Sequence, residues 1–249
     1  MRIEGKNSVR ELINSGKTIE KIEIIDNNND VEVRDIVQKA RDNGIKVEFK
    51  DKAYFARVCQ SKNPQGICAV ASDFVYSTFD DCFKDAEKKG EAPLFILLDG
   101  LEDPHNLGSV LRVADCTGAC GVVIPKHRSV CVNETVVRVS AGASEHVNVV
   151  KVNNINQAIE ELKKRGVWVY AFDMDGQSMY DANLTGPIGI IIGSEGNGVS
   201  SLVRKNADGI LSIKMNGKVN SLNASVSAGV ALYEVVRQRG EQWKKAKMV

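Results

Sequence analysis

The chain has 249 residues, of which 43% are hydrophobic, 26% charged and 6% aromatic. This composition provides enough apolar mass for a folded core and excludes an intrinsically disordered chain. The 33 Lys and Arg residues nearly balance the 32 Asp and Glu residues, which excludes a protein that binds nucleic acid through bulk charge alone. Contact with nucleic acid must therefore come from local patches.

No segment has the sequence of a membrane span or a secretory signal. The longest apolar runs, at 94–98 and 188–192, are far shorter than the roughly 20 residues that a membrane-spanning helix needs. The first residues, MRIEGKNSVRELI, have no apolar stretch after their charged start. We therefore expect a cytoplasmic protein. Its six cysteines should be free and mostly buried, and we expect no metal site because no C-x-x-C pair is present.

The first 72 residues predict a small α/β unit. Two helix-like stretches, NSVRELINSG and DVEVRDIVQKARDNG, begin on Asn or Asp and end on Gly. They alternate with three β-rich runs, KIEII, IKVEF and GICAVA. Residues 73–92 have mixed charge and weak periodicity, and a strongly apolar strand begins abruptly at Pro93. We therefore expect an N-terminal domain over 1–72, a linker over 73–92 and a second domain over 93–249.

The second domain alternates strands and helices more strictly. Strands are predicted at 93–99, 121–125, 147–152, 167–173, 186–193 and 209–214. Helices are predicted at 106–118, 133–144, 154–166, 200–207 and 221–239. Repeated βα units imply a mainly parallel sheet with helices on both faces. Because ligands bind at the carboxyl ends of such strands, the loops that follow the strands are the candidate sites.

The first candidate loop leads from Asp99 into the helix that ends at Gly118. Pro104 stiffens it, and Asn106 is predicted at an N-cap position. Arg112 has apolar neighbours on both sides, so its stem should be half buried. A guanidinium held there suits a phosphate or a ribose oxygen; the alternative is an ordinary charge on a solvated helix face.

The second candidate loop, GSEGNG, follows a buried strand. Its glycines Gly193, Gly196 and Gly198 have the order G-x-x-G-x-G, the reverse of the dinucleotide fingerprint, so a standard NAD site is not expected. Glycines let the backbone approach a ligand closely, and Glu195 adds an acceptor or a base. The alternative is a tight turn that needs positive φ, which explains one glycine more easily than three.

The third candidate loop leads from the last strand into the final helix, for which Ser221 is a reasonable N-cap. Small residues of this helix, such as Ala228 and Gly229, would allow close helix packing. Packing alone does not explain the polar side chains of Asn223, Ser225 and Ser227 at the ligand end of the helix.

These three segments, DPHNLGSVLRVADCTG, GSEGNGVS and SLNASVSAGVALYEVVRQR, resemble in sequence and order the three motifs of the SpoU/TrmH branch of the SPOUT RNA 2'-O-ribose methyltransferases. The intervening RVSAGASEHVNVVKVNNI also fits that family. The N-terminal IEGKNSVRELINSG and QGICAVAS resemble the ribosomal-protein-like substrate-binding domain of RlmB-type members. The resemblance implies a deep trefoil knot in the C-terminal domain, a homodimer with active sites near the subunit interface, and S-adenosylmethionine as cofactor.

The resemblance also implies the site residues. Those expected to bind the cofactor are Gly193, Ile213 and Leu222, with Glu195, Gly196, Gly198, Met215, Ser221 and Asn223 around them. Those expected to be catalytic are Asn106, Arg112, Glu195 and Asn223. Family proposals give Arg112 the role of activating the ribose hydroxyl. Because a guanidinium pKa lies above about 12, we favour orientation of the target and stabilisation of negative charge, with Glu195 and Asn223 holding Arg112 and the nucleoside.

The chain departs from the family pattern at Lys214, where many relatives have proline, and at Pro64, where histidine is common. The second departure puts in doubt any substrate contact assigned to that histidine. Basic residues that could line an RNA path are Lys6, Arg10, Arg237, Arg239, Lys244, Lys245 and Lys247. For the C-terminal members of this set, the alternative is an ordinary solvated tail.

The expected activity is methylation of a ribose 2'-hydroxyl, that of a guanosine in large-subunit (23S) ribosomal RNA. Transfer RNA is the alternative substrate, and an RNA-binding or ribosome-assembly factor without catalysis is the alternative of another class. DNA should not be a substrate because it lacks the 2'-hydroxyl.

Overall fold

The computed structural model describes residues 2–14, 18–26, 28, 30–59, 61, 64–71, 74–194, 196–218 and 221–246. The chain forms two compact units, Met1–Val75 and Tyr76–Val249. Both are α/β, as the sequence predicts. Within the described residues, no helix is both long enough and apolar enough to cross a membrane.

The described residues of the first unit form a four-stranded sheet with three helices. Its strands are β1 (Arg2–Glu4), β2 (Ile19–Ile25), β3 (Lys46–Lys50) and β4 (Ile67–Ala71). Its helices are α1 (Lys6–Asn14), α2 (Val31–Asp42) and α3 (Lys52–Val58). The strand order is β1-β4-β2-β3, in which only β2 and β3 are parallel. The sequence predicts all of these elements except β1 and α3.

Alternation along β2 divides the first unit into an apolar core and a charged sheet face. Ile22 and Ile24 are buried in the core, so the side chains of Lys21 and Glu23 point to the other face of the sheet. Glu23 is fully buried there and is stabilised by ion pairs with Arg2 and Lys21. Burial opposes ionisation of Glu23, but these partners outweigh it and lower its pKa.

The second unit is a six-stranded parallel sheet with helices. Its strands are β5 (Leu94–Asp99), β6 (Gly121–Pro125), β7 (Val149–Val152), β8 (Trp168–Ser178), β9 (Ile188–Gly193) and β10 (Gly209–Ser212). Its helices are α4 (Phe79–Lys89), α5 (Pro104–Thr117), α6 (Glu134–Val139), α7 (Ile155–Lys164), α8 (Ser201–Asn206) and α9 (Ala224–Ala246). The strand order is β10-β8-β9-β5-β6-β7. The parallel sheet is confirmed, although α6 is shorter and β8 longer than the sequence predicts.

Helix α4 lies in the segment that the sequence interpretation assigns to a linker. A capping box between Thr78 and Asp81 begins the helix, which satisfies backbone N–H groups that would otherwise lack partners. Its residues Phe79, Cys82 and Ala86 are buried in the core of the second unit. The second unit therefore begins earlier in the chain than the expected start at residue 93.

The central strands β5 and β9 are buried along nearly their whole length. Helices on both faces of the sheet explain why LFILLD and IGIIIG are continuous apolar runs and not alternating ones. Because all six strands are parallel, their carboxyl ends meet at one edge of the sheet. We call this the carboxyl edge, and the three candidate loops all follow strands that end there.

Candidate functional site

The first and second candidate loops meet where β5 and β9 end side by side. Asp99 pairs in register with Gly193, and the backbone N–H of Ser200 donates to Asp99 Oδ2 at 2.8 Å. Gly100 has a φ of +80°, and a Cβ added to it would lie 3.8 Å from Ser194 Cβ. The carboxylate that ends β5 therefore ties the loop after β9 to the loop after β5.

The second loop closes on itself as a tight turn. The backbone groups of Ser194 and Gly198 exchange two hydrogen bonds, of 3.1 and 3.0 Å. Gly198 has a φ of +63°, and a Cβ on Gly193 would lie 2.1 Å from the Gly198 carbonyl carbon. The turn therefore explains both of these glycines. It does not explain Gly196, around which there is open space. Glu195 lies outside the described residues.

The third loop follows β10, and its described residues 214–218 have backbone polar groups without partners among the described residues. Met215 in this segment and Ile213 just before it are half-buried, whereas Ser221 and Leu222 are exposed. Unused N–H and C=O groups next to apolar side chains suit a ligand that carries both polar edges and a flat apolar face. Open space at Gly196 is compatible with the same ligand.

Asn106 and Asn223 join the first and third loops directly. Asn223 Nδ2 donates to Asn106 Oδ1 at 2.9 Å, and Asn106 is only 5% exposed. The other amide atom, Asn223 Oδ1, accepts from the backbone N–H of Ser225 at 2.9 Å. One side chain therefore both begins α9 and holds the start of α5.

Two predicted helix caps are wrong. Asn223 takes the capping position of α9, so Ser221 lies two residues before the cap. The cap of α5 is Asp103, whose side chain accepts from the backbone N–H of His105. Asn106 lies one turn into α5, where its buried amide is free of the capping role and is turned toward Asn223.

Arg112 is exposed, and the expectation of a half-buried stem is wrong. It lies six residues after Asn106, about 9 Å further along the helix axis. Its guanidinium makes no hydrogen bond or ion pair with the described part of the chain. The structure thus brings Asn106 and Asn223 together and leaves Arg112 as an accessible cation nearly two turns away.

Two acidic residues of the carboxyl edge were not singled out from the sequence. Asp99 ends β5, and Asp173, whose side chain forms an ion pair with Arg204, lies in β8. Arg204 also bonds to Asp175, and this hydrogen bond lowers the pKa of the Asp175 carboxyl. The available signal was the Asp that follows the apolar run in both LFILLD and VWVYAFD.

Four of the basic residues expected along an RNA path have intramolecular partners, and the weakest of these contacts is the 3.5 Å hydrogen bond from Arg10 to Asn7 Oδ1. Lys6 pairs with Asp30 and Glu32, and Arg237 makes an ion pair with the buried Glu234. Arg239 donates to the backbone carbonyls of Pro93 and Gly186. Burial lowers the pKa of Arg239, which marks it as a structural residue. The side chains of Lys244, Lys245 and Lys247 lie outside the described part of the structure.

The cysteines are free thiols, and burial is uneven among them. Cys68, Cys82 and Cys120 are buried, whereas Cys116 is exposed on α5. Burial raises the pKa of both Cys68 and Cys120 to about 12. The described residues contain no group of three or more His, Cys, Asp or Glu side chains placed to hold a metal ion.

Both units of the chain match models of known protein families. Residues 93–233 match the model of the SpoU rRNA Methylase family, and residues 2–77 match a domain described as RNA 2'-O ribose methyltransferase substrate binding. A Bacillus subtilis protein named as a TrmH family tRNA/rRNA methyltransferase, YacO, is 40% identical over 238 residues, which are 94% of each chain.

Solved structures share the fold. The SpoU methyltransferase AviRb of Streptomyces viridochromogenes, in complex with the cofactor AdoMet, has a TM-score of 0.62 at 23% identity and covers 97% of this chain and 91% of its own. A structure concerned with 2-OH methylation of C/U34 on tRNA has a TM-score of 0.54 at 30% identity. It covers 59% of this chain and 96% of its own. From the family match over more than half of its length, the chain belongs to the SpoU/TrmH family of RNA methyltransferases.

Proposed function

We propose that this protein transfers the methyl group of S-adenosylmethionine to a ribose 2'-hydroxyl in RNA, and that its target is a guanosine of large-subunit (23S) ribosomal RNA. The observation that carries the proposal is the meeting of three loops at the carboxyl edge. Asn223 bonds to Asn106, and Ser200 bonds to Asp99. Loops from three distant segments thereby enclose one place at which two reactants could be aligned.

The residues present fit S-adenosylmethionine. Backbone groups of 214–218, which have no hydrogen-bond partner among the described residues, are suited to the polar edge of its adenine and to its amino-acid part. Ile213, Met215 and Leu222 offer apolar surface to its ring, and Gly193, Gly196, Gly198 and Ser221 border the same loops. The bound cofactor supplies an electrophilic methyl group on a sulfonium.

In the reaction the ribose oxygen bonds to the methyl carbon as the carbon–sulfur bond breaks. The sulfur keeps the electron pair of that bond, and the hydroxyl proton passes to water. The protein must hold the oxygen in line with that bond and stabilise the charge that develops on it. In this proposal Asn106 and Asn223 fix the nucleoside, Glu195 helps to hold it, and Arg112 orients the target and stabilises negative charge. A permanently charged guanidinium is better suited to this role than to removal of a proton.

We further propose that the active protein is a homodimer formed through the outer face of α9 and α5. Val226, Tyr233 and Val236 lie on one face of α9 and are 49%, 55% and 37% exposed. An apolar face of this kind commonly marks a protein interface. Arg112 lies on the adjacent helix, so a second copy docked here would bring another set of site loops toward this cation.

The choice of ribosomal RNA rests on the first unit. The neighbour concerned with tRNA covers 59% of this chain, so about two-fifths of the chain has no counterpart there. The N-terminal substrate-binding match therefore favours a substrate that needs an additional RNA-binding unit. Transfer RNA stays the second candidate, since the Bacillus relative is named for both classes of RNA.

Methyl transfer to separated RNA pools tests the proposal. Purified protein is incubated with radiolabelled S-adenosylmethionine and with either ribosomal or transfer RNA from a strain that lacks the gene. Label in the large-subunit ribosomal pool, mapped by mass spectrometry to the 2'-oxygen of one guanosine, is the expected result. Label in the transfer RNA pool would select the second candidate. RNA binding without label in either pool would indicate a non-catalytic RNA-binding or assembly factor.

Two further properties belong to this proposal. We infer that the polypeptide through β9, β10 and α9 forms the deep trefoil knot of the SPOUT fold, with the cofactor loops in the knot. We also infer a cytoplasmic location, where ribosomal RNA is made and modified in bacteria such as the source of the Bacillus relative.

A further inference from the structure

The carboxyl edge carries a second cluster of charge that the proposed reaction does not use. Lys126, His127 and Arg128 directly follow β6 and are all exposed. Their side chains make no hydrogen bond or ion pair with the residues that the structure describes. We propose that this basic turn, Lys126–Arg128, binds phosphate groups of the RNA chain next to the target nucleotide. The inference rests on the proposed function and assigns residues that position its substrate.

The basic turn is held in place at both ends. The backbone N–H of Lys126 donates to the carbonyl of Val152 at 2.8 Å. On the other side, Val130 N–H and Ser129 Oγ both donate to the carbonyl of Leu101, at 2.9 and 3.1 Å. A turn fixed in this way loses little conformational freedom when it binds, which favours a preformed anion site.

Arg128 has an unusual backbone conformation. Its φ is +52°, in the left-handed region that residues other than glycine rarely adopt and that asparagine tolerates better than arginine. An arginine at such a position carries a backbone cost, and its side chain gains no hydrogen bond or ion pair from the described residues in return. Outliers of this kind concentrate at ligand-binding positions, and a bound phosphate would give the guanidinium its partner.

The position of the basic turn along the carboxyl edge fits an RNA strand. In the sheet, β9 lies on one side of β5 and β6 on the other, and neighbouring strands are about 5 Å apart. Three features therefore follow one another across the carboxyl edge: the second loop after β9, Asn106 after β5 and the basic turn after β6. The carbonyl that anchors the turn belongs to Leu101, which is part of the loop that leads to Asn106.

Nearby acidic groups leave the basic turn with an excess of positive charge. Asp103 accepts from the backbone N–H of His105, so its charge is opposed by the N-terminus of α5. Glu102 is exposed to solvent on the neighbouring loop. Two cations that form no salt bridge with the described residues, with a histidine between them, suit the closely spaced anions of a phosphodiester chain. RNA is the polyanion that the adjacent site would bring to this place.

The test combines methyl transfer with the salt dependence of RNA binding. The variant is Lys126→Gln with Arg128→Asn, because asparagine accepts the positive φ. The control is Lys88→Gln with Lys164→Gln, which removes equal charge from exposed positions in helices that lead to the opposite edge of the sheet. The RNA is large-subunit ribosomal RNA from a strain that lacks the gene, and KCl is varied in the binding assay.

We expect the basic-turn variant to bind this RNA roughly tenfold more weakly. The plot of log K against log salt concentration should become less steep by about 1.4, since each of two phosphate contacts on a single strand contributes about 0.7 to its slope. The KM for RNA should rise while kcat and the affinity for S-adenosylmethionine stay within twofold. Arg128→Lys should retain most of the salt slope, and the control pair should match the wild type.

An unchanged salt slope, or an equal loss in the control pair, would overturn the inference. A fall in kcat with an unchanged KM would also overturn it, because it would indicate a role in the chemical step. If the wild type methylates no RNA, the proposed function fails, and the salt slope of the same variants still decides whether this turn contacts RNA.

Discussion

Asn223 Nδ2 donates to Asn106 Oδ1 at 2.9 Å, although the two residues are 117 positions apart in the chain. The same amide caps α9 through its oxygen, which accepts from the N–H of Ser225. Because the oxygen is used by the helix, the nitrogen must face Asn106. The helix cap therefore fixes the orientation of the amide at the site.

Substitution of Asn223 should separate the capping role from the site role. A serine can still cap α9, but it cannot donate to Asn106. We expect Asn223→Ser to retain stability within about 0.5 kcal/mol and Asn223→Ala to lose about 1 kcal/mol, the usual cost of a lost cap. Both should lose at least tenfold in methyl transfer. Urea unfolding and the labelled assay measure the two effects, and a fully active Asn223→Ser would contradict the role of the amide.

Arg112→Ala should reduce methyl transfer with little effect on folding. The side chain is exposed and unpaired within the described residues, so stability should change by less than about 0.5 kcal/mol. Loss of a cation that stabilises developing charge should cost roughly a hundredfold or more in rate. Calorimetry should give an unchanged affinity for S-adenosylmethionine. Arg112→Lys tests whether a point charge suffices, and full activity of Arg112→Ala would refute the assigned role.

Two glycines of the second loop should respond differently to alanine. In Gly193→Ala, the new Cβ would lie 2.1 Å from backbone of Gly198, so the turn must open. We expect a loss of stability of about 2 kcal/mol or more and loss of cofactor binding. Gly196→Ala meets no atom within 4 Å, so stability should be retained. If the open space around Gly196 receives the cofactor, the Kd for S-adenosylmethionine should rise in Gly196→Ala. Thermal unfolding with and without S-adenosylmethionine distinguishes these results.

Tyr233→Glu should disrupt the proposed homodimer. The ring is 55% exposed on α9, so the substitution should leave the subunit folded while placing a charge in the apolar interface. We expect sedimentation velocity to report a monomer and methyl transfer to be lost. Leu202→Glu is the control, because Leu202 is 56% exposed on a different helix, α8, and the protein should stay dimeric. A monomeric wild type would remove the basis for this prediction.

The order of strands and helices in the second unit was predictable because buried parallel strands are continuous apolar runs between turn residues. The N-terminal unit was predictable to a lesser degree. Strand β1 has only three residues, and α3 has a single buried residue, Phe55, so neither has a clear period. Helix α4 was missed as a core element because its apolar positions, Phe79, Cys82 and Ala86, are few and lie among charges.

The site was predictable in its parts and not in its contacts. The sequence singled out Asn106 and Asn223 separately, but a hydrogen bond between them depends on the packing of α5 against α9. The exposure of Arg112 could not be read from its apolar neighbours, because on a helix adjacent residues face different directions. The ion pair of Lys6 with Asp30 depends on tertiary packing, and Arg237 pairs with Glu234 one turn earlier on the same helix. Both pairs leave less positive charge for RNA than a count of basic residues suggests.

Acid should destabilise the protein partly through Glu48 of the first unit. Burial opposes ionisation of Glu48, but hydrogen bonds from Lys46, Lys21 and Lys50 outweigh it and lower its pKa to about 2. Because the folded pKa lies below the unfolded value of about 4.3, this contribution is fully present above pH 5 or so and is lost progressively as the pH falls toward 2. It amounts to at most about 3 kcal/mol, at 1.36 kcal/mol for each pKa unit.

Glu48→Gln should therefore lower the free energy of unfolding at pH 7 and flatten its decline between about pH 5 and about pH 2. Urea unfolding of the full chain at several pH values measures both effects. Glu32→Gln is the matched control, because Glu32 is more exposed and has one lysine partner, Lys6, that also bonds to Asp30. Its acid profile should follow the wild type. Parallel profiles for Glu48→Gln and the wild type would show that three lysines around one carboxylate add no net stability, as is common for more exposed ion pairs.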